Sequence, residues 1–429
     1  MKKMLINGQK ALFGEVRIAG AKNAALPLMV ASILCDDKIT LTNLPHVSDI
    51  STMVNLLTNL GVEVSFDGFD HAQGNEARVI ILDASKIANP VADYDLVRKM
   101  RASILVLGPL LARCGHARVS LPGGCAIGTR PVDLHLKAFE AMGVKFELRD
   151  GYVEGRVTGT KLRGNYIHFD KVSVGATENI MMAACLAEGE TIISNAACEP
   201  EIIDLAKCLS AMGAKISGAG TGQINIKGVS KLNSCRHKII ADRIEAGTYA
   251  VAAGITGGKI KICGIEEWIL GGFKKELEEA GLIFNKINDD EIEVSRQQNF
   301  IKSVNIATNP YPGFPTDMQA QFMALMTLGN GVATIEENIF ENRFMHVLEL
   351  VRMNANIESH GKMAVVKGVS SLTGAEVMAT DLRASVSLVL AGLVACGQTV
   401  INRLYHLERG YERIAEKLIN CGADIKIIY

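Results

Sequence analysis

Aromatic side chains are scarce in this chain. They make up 5% of its 429 residues, with a single tryptophan, so the core has to be packed from Ala, Val, Ile, Leu and Met. An excess of charge of one sign is missing too. Lys plus Arg number 45 against 46 Asp plus Glu, which excludes a surface-wide field for coating nucleic acid or an acidic membrane; any anion site must be local. Long apolar runs are also lacking: a stretch such as Ile104 to Ala112 falls well short of the ~20 residues that cross a bilayer. The opening Met1-Lys2-Lys3-Met4-Leu5-Ile6-Asn7-Gly8 has neither the apolar segment nor the small-residue cleavage site of a signal peptide. A cytoplasmic protein is expected, with no membrane insertion and no nucleic acid as partner. The ten cysteines form no C-x-x-C pair and the nine histidines no H-E-x-x-H, so neither zinc nor a disulfide framework is expected. Cys35, Cys185, Cys208, Cys263, Cys396 and Cys421 lie among apolar neighbours and read as reduced, buried small hydrophobes.

What is present is a repeat. A helix end, a small turn and a strand recur at Leu60-Gly61-Val62, Met142-Gly143-Val144, Met212-Gly213-Ala214, Ala280-Gly281-Leu282, Met353-Asn354-Ala355 and Cys421-Gly422-Ala423. The first interval is the longest, with the polar stretch Gly68 to Ala77 as its expected insertion. So long a period exceeds a solenoid unit and points to a repeated α/β module. Each copy begins with an apolar helix: Ala24 to Cys35, Ala102 to Arg113, Ala176 to Leu186, Ala246 to Gly254, Met318 to Leu328 and Ala384 to Val394. A short strand and a more amphipathic second helix follow. Helices that are apolar nearly all round must be buried, so six modules divide into two lobes of three, with helices enclosed by sheets and a break near Arg236 to Ile240. The leading strand Met4 to Val16 precedes the first helix.

Charged and polar residues gather where the first helices start: Lys22 and Asn23, Arg101, Lys171 and Ser173, Arg243, Asp317, and Arg383. Helix starts expose unpaired N–H groups and carry about half a positive charge, so several together suit a highly anionic ligand held between the lobes. Leu121-Pro122-Gly123-Gly124-Cys125-Ala126-Ile127-Gly128-Thr129-Arg130-Pro131-Val132-Asp133-Leu134 sets a cysteine among three glycines with Arg130 close behind. That setting favours an accessible, reactive thiolate, and a Gly-rich turn with an incidental cysteine is the plainer alternative. In Phe314-Pro315-Thr316-Asp317-Met318, Asp317 reads either as a helix N-cap or as a general base or hydroxyl acceptor. Arg343, Arg383, Arg409 and Arg413 stand at strand ends and helix starts of separate modules, and guanidinium groups pair carboxylate and phosphate bidentately. Gly218-Ala219-Gly220-Thr221-Gly222-Gln223 imitates a dinucleotide fingerprint but lacks its third glycine and leads into a strand, so it reads as a turn.

These residues resemble the enolpyruvyl transferase family from end to end, in its branch that uses UDP-N-acetylglucosamine. The resemblance rests on Gly20-Ala21-Lys22-Asn23-Ala24-Ala25, the Cys125 segment, Lys171-Val172-Ser173-Val174-Gly175, Ala241-Asp242-Arg243-Ile244-Glu245, the Asp317 segment, Glu341-Asn342-Arg343-Phe344-Met345-His346 and the Arg409 segment. It implies a two-domain inside-out α/β barrel with six repeated modules, three per domain. The N-terminal domain would span 22–240 and carry the Cys125 loop; residues 1–21 and 241–429 would form the C-terminal domain. The implied reaction moves the enolpyruvyl group of phosphoenolpyruvate to the 3-hydroxyl of UDP-N-acetylglucosamine and releases phosphate, the first committed step of peptidoglycan synthesis. The two reactants are the implied partners, and no cofactor or metal is needed.

By position, the resemblance makes Cys125 the residue that helps protonate the methylene carbon and can form an adduct; the glycines around it and the two-lobe reading lead to the expectation of a loop that closes as a lid. Asp317 would accept the proton of the sugar hydroxyl. Lys22, Arg130 and Arg409 would hold the phosphate and developing charge, Arg343 and Arg383 would orient the carboxylate, and Asn23 would lie beside them. The sugar nucleotide would contact Arg101, Arg130, Pro131, Val132, Asp133, Leu134, Lys171, Val172, Ser173, Val174, Asp317 and Ile339. A cysteine at position 125 also implies alkylation by the epoxide fosfomycin. Cys198 departs from the basic residue expected there, which puts one peripheral contact in doubt. Two alternatives stand beside this reading. The shikimate-pathway transferase shares the modules but not the Cys125 loop, and a weakly active regulatory paralogue would have lost Cys125, Lys22, Asp317 or Arg409, all of which are present.

Overall fold

Each second helix ends in a residue with a left-handed backbone. Gly61, Gly143, Gly213, Gly281 and Gly422 have φ between 91° and 105°, and Asn354 takes the sixth place at φ 70°. Asparagine is among the few side chains that tolerate this conformation, which is why the repeat survives without its glycine there. The left-handed turn stops the helix and releases the chain into the next strand.

The computed structural model describes residues 2–67, 78–121 and 132–429. The expected insertion at Gly68 to Ala77 and positions Cys125, Arg130 and Pro131 lie outside the described residues. Among those described, the strands form six four-stranded sheets. In each sheet two strands run parallel and the remaining pairings are antiparallel, as in Tyr166–His168 beside Glu190–Ser194, then Gln223–Lys227 and Lys215–Ser217. Burial alternates along the strands, so one face of each sheet turns inward.

The first helices lie inside, as their composition requires. Arg243–Thr256, Gln319–Met326 and Ser385–Gly392 are buried over almost their whole length and pack on one another. Lys22–Ala31 and Val174–Ala184 are buried in the same way, and Leu107–Cys114 packs against Val174–Ala184. Sheets outside and helices inside make an inside-out α/β barrel of six modules. Arg113 shows how helix ends are satisfied in such an interior. Its guanidinium donates to the carbonyls of Ile33, Cys35 and Ala84 at 2.9, 3.0 and 2.6 Å.

Among the described residues two compact units emerge, one from residues 20–67, 78–121 and 132–240 and one from residues 2–19 with 241–429. Each closes on itself. In the first, Cys235–Lys238 returns to pair in parallel with Lys38–Leu44. In the second, the N-terminal segment supplies the closure, and here the sequence reading needs correction. Met4 to Val16 is not one strand but two, Lys3–Asn7 and Phe13–Arg17. The first lies between Gln398–Asn402 and Asp424–Ile428; the second pairs with Lys259–Cys263 in another sheet. The break falls at Gly8 and at Gln9, whose φ is 66°. A side chain at Gly8 would meet the Ala395 carbonyl at 2.4 Å.

The turn at Gly218 and Gly220 leads into Gln223–Lys227. Among the cysteines Cys396 departs from expectation: it is exposed, and its sulfur accepts from Gln9 Nε2 at 2.9 Å. Among the described residues no helix is long and apolar enough to cross a membrane.

Candidate active site

Residues 20–240 present one constellation of the expected site residues. Lys22 opens the helix Lys22–Ala31 and is 6% exposed. Its ammonium meets Asp49 Oδ2 at 3.1 Å, across 27 residues of sequence. Asp49 is buried in the first turn of Ser48–Leu60, so this ion pair is nearly dry. Asn23 follows, half-buried. Ser173 caps Val174–Ala184, its hydroxyl accepting from Ala176 N at 3.3 Å. Lys171 is exposed, and Val172 and Val174 are half-buried beside it.

A residue outside the expected set joins this capped start to the next segment. His135 is buried just after Val132, Asp133 and Leu134, and its Nδ1 lies 3.0 Å from Asn179 Nδ2. Asn179 Nδ2 also donates to Ile104 O at 3.1 Å, and its Oδ1 accepts from Gly108 N at 2.8 Å. The two segments 132–134 and 171–174 are thereby brought together next to the 3-10 turn Arg101–Val106 that begins with Arg101. Burial pushes the His135 pKa down to about 4, helped by the Arg101 charge and opposed by Asp133. This histidine is neutral, accepts at Nδ1 from the Asn179 amide, and serves as a structural link.

The sign of its pH effect follows directly. With a folded pKa near 4 and an unfolded value of 6.5, the unfolded chain binds more protons in between, so stability falls as pH drops through that window. The stability gap between wild type and His135→Gln should narrow by about 1.4 kcal/mol per pH unit between pH 6 and 4. Urea titrations at pH 7, 5.5 and 4.5 read this, and a constant gap would show that His135 titrates normally.

Residues 241–429 hold the second constellation. Asp317 is not an N-cap. It sits in the short 3-10 turn Thr316–Met318 that precedes Gln319–Met326, with no side-chain cap bond. Its carboxylate faces two arginines instead: Arg343 Nη2 donates to Oδ1 at 2.8 Å, and Arg383 Nε lies 3.4 Å from Oδ2 as an ion pair without hydrogen-bond alignment. Both arginines are buried, whereas the Asp317 side chain keeps 24% of its surface. The carboxylate is thus oriented from behind and open in front.

Arg383 is fixed further by Asp242 Oδ2 at 3.4 Å and the Gly410 carbonyl at 3.1 Å. Burial works against its charge, but Asp242, Tyr411 and Asp317 outweigh that and raise its pKa. Asp242 also caps Arg243–Thr256, accepting from Ile244 N and Glu245 N at 2.8 and 3.0 Å. Asp381 Oδ1 accepts from the backbone N–H of Arg383 at 2.8 Å. The Gly410 contact places the short turn Leu404–Arg409, which ends in half-buried Arg409, next to Arg383. Tyr411 completes the floor: its hydroxyl bonds Thr248 and Gln321, each at 3.0 Å, and Gln321 donates to the Asp317 carbonyl at 2.9 Å. Burial pushes the Tyr411 pKa up to about 12, so the phenol stays protonated. Ile339 is half-buried, its N–H donating to Glu337 Oε1 at 2.9 Å.

Such an arrangement offers a guanidinium cluster for an anionic reactant beside an oriented carboxylate that can take a proton. The family model for EPSP synthase (3-phosphoshikimate 1-carboxyvinyltransferase) matches residues 6–418. A UDP-N-acetylglucosamine 1-carboxyvinyltransferase of Rhodospirillum centenum is 58% identical over 429 residues, covering 99% of both chains. One of Paramagnetospirillum magneticum is 56% identical, covering 99% of this chain and 98% of its own. This chain belongs to the enolpyruvyl transferase family. Among solved structures, the enolpyruvyl transferase NikO of Streptomyces tendae shares the fold with a TM-score of 0.88 at 24% identity, over 100% of this chain and 99% of that one. An EPSP synthase of Acinetobacter baumannii does so at 0.73 and 18% over both whole chains.

Sequence reasoning missed Asp49, His135, Asp242 and Tyr411 as parts of these two constellations. Asp242 was legible as a potential cap within Ala241-Asp242-Arg243; nothing local signalled the others, because each acquires its role from a partner far along the chain.

Proposed function

We propose that this enolpyruvyl transferase moves the enolpyruvyl group of phosphoenolpyruvate to the 3-hydroxyl of UDP-N-acetylglucosamine and releases phosphate, in the cytoplasm, as the first committed step of peptidoglycan synthesis. The observation that carries this is full-length identity of 58% to a relative named for that substrate. Asp317 takes the proton of the sugar hydroxyl as its oxygen bonds to C2 of phosphoenolpyruvate. The methylene carbon gains a proton in the same addition, with Cys125 assisting. The resulting tetrahedral adduct then loses that carbon's proton and expels phosphate, restoring the double bond.

Lys22, Arg130 and Arg409 neutralise the phosphate. Arg343 and Arg383 orient the carboxylate, and fixed charges of this kind act most strongly where water is excluded. Arg101, the run Val132 to Leu134, the run Lys171 to Val174 and Ile339 take the sugar nucleotide. Support comes from the Asp317–Arg343 and Arg383–Asp242 contacts and from the buried Lys22 ammonium.

The test is phosphate release from phosphoenolpyruvate with and without UDP-N-acetylglucosamine, for wild type and Cys125→Ala in parallel. Release that depends on the sugar nucleotide and falls by about 100-fold or more in the variant is expected. Release driven by shikimate 3-phosphate instead would move the assignment to the other branch of the family.

A further inference from the structure

We infer that Glu337 is a positioning residue for this reaction, holding the segment that carries Asp317 in register with the segment that carries Ile339 and Arg343; the inference rests on the reading above.

The repeat first draws attention to it. After the strand that follows the central helix, three sister modules place a left-handed residue: Asn195 after Glu190–Ser194, Gly264 after Lys259–Cys263 and Arg403 after Gln398–Asn402, with φ of 56°, 81° and 60°. Glu337 stands at this point after Val332–Glu336 and does not make that turn. A backbone device is replaced by a buried acid, 1% exposed.

The side-chain hydrogen bonds of that acid tie the chain around Asp317 to the chain around Ile339. Oε2 accepts from Thr316 Oγ1 at 2.9 Å, beside Asp317. Oε1 accepts from the backbone N–H of Ile339 at 2.9 Å and of Phe340 at 3.1 Å, three residues before Arg343. It also accepts from Thr308 Oγ1 at 2.9 Å, and Thr308 in turn accepts from Asn338 N at 2.9 Å. Three stretches of chain therefore converge on one carboxyl. An apolar side chain here would leave two backbone N–H groups and two hydroxyls without their acceptor, so the acid is tied to this local geometry. Local rules are broken most often where function requires it. Here the broken rule sets the distance between a proton acceptor and the arginine that orients it.

The experiment compares Glu337→Ala, Glu337→Gln and Thr316→Val with wild type in sugar-nucleotide-dependent phosphate release, well below each melting temperature. Glutamine can still accept from the two N–H groups and from Thr308 while its amide donates to Thr316. Glu337→Ala should lose about 10- to 100-fold in kcat, the scale of a small misplacement of reacting groups. Glu337→Gln should stay within about threefold of wild type, and Thr316→Val should fall between them. A Glu337→Ala protein with a lowered melting temperature and unchanged kcat would make the residue merely structural. Should Glu337→Ala not fold, Thr316→Val at wild-type kcat overturns the inference by itself. A wild type that releases no phosphate overturns the underlying reading along with it, whereas an active wild type with three unaffected variants overturns only the role of Glu337.

Discussion

Asp317→Asn is expected to lower kcat for phosphate release by about 100- to 10,000-fold, the range contributed by a positioned general base, while leaving sugar-nucleotide affinity within a few-fold. The asparagine keeps the volume and can still accept from Arg343, so the fold survives. What it lacks is the capacity to take the hydroxyl proton. Asp317→Ala should be worse on both counts. Arg343 is 4% and Arg383 2% exposed, and stripping a partner from a buried ion pair costs about 3–5 kcal/mol. Arg383 retains Asp242, which puts Asp317→Ala at the lower end of that range. Steady-state phosphate release, calorimetric titration with UDP-N-acetylglucosamine and urea unfolding separate these effects. Asp317→Asn turning over within threefold of wild type would remove Asp317 from the chemistry and leave it as a clamp for the two arginines.

Lys22→Met should reduce kcat/KM for phosphoenolpyruvate by about 100- to 1,000-fold, as loss of a fixed charge from a water-poor site does. The side chains of Lys22 and Asp49 keep 8% and 6% of their surface, so the single variant also leaves Asp49 as a buried carboxylate with its ammonium partner gone. The double variant Lys22→Met/Asp49→Asn resolves the two roles. It should recover most of the lost stability, because the buried carboxylate that lost its lysine is then neutral, and none of the lost activity. Recovered activity in the double variant would show that the lysine serves the fold and not the phosphate. Lys22→Arg is no rescue in this prediction: a planar guanidinium does not fit where a compact ammonium is enclosed.

Much of the architecture was legible because it is written in short-range order. The six left-handed positions from Gly61 to Gly422, with Asn354 in their midst, are set by what a residue's own backbone permits. The burial of Gln319–Met326 and Ser385–Gly392 follows from side chains apolar on every face. The same kind of signal placed Lys22, Arg101, Ser173 and Arg243 at helix starts, and the anion-binding expectation came with them. Asp317 shows the limit. Behind a proline it reads as a cap or as a base, and what turns its carboxylate away from capping is Arg343, 26 residues away, with the more distant Arg383.

The sequence by itself therefore determined the module, its six copies, which helices go inside and which charged residues sit at their starts, since each depends on neighbours within a few residues. Tertiary structure alone decided that Lys3–Asn7 and Phe13–Arg17 complete two different sheets, that Arg383 meets Asp242 across 141 residues, and that Glu337 gathers Thr308, Thr316 and Ile339. These pairings depend on how each ring of three modules closes. Closure is a matter of register between strands far apart in the chain, and no local pattern encodes it.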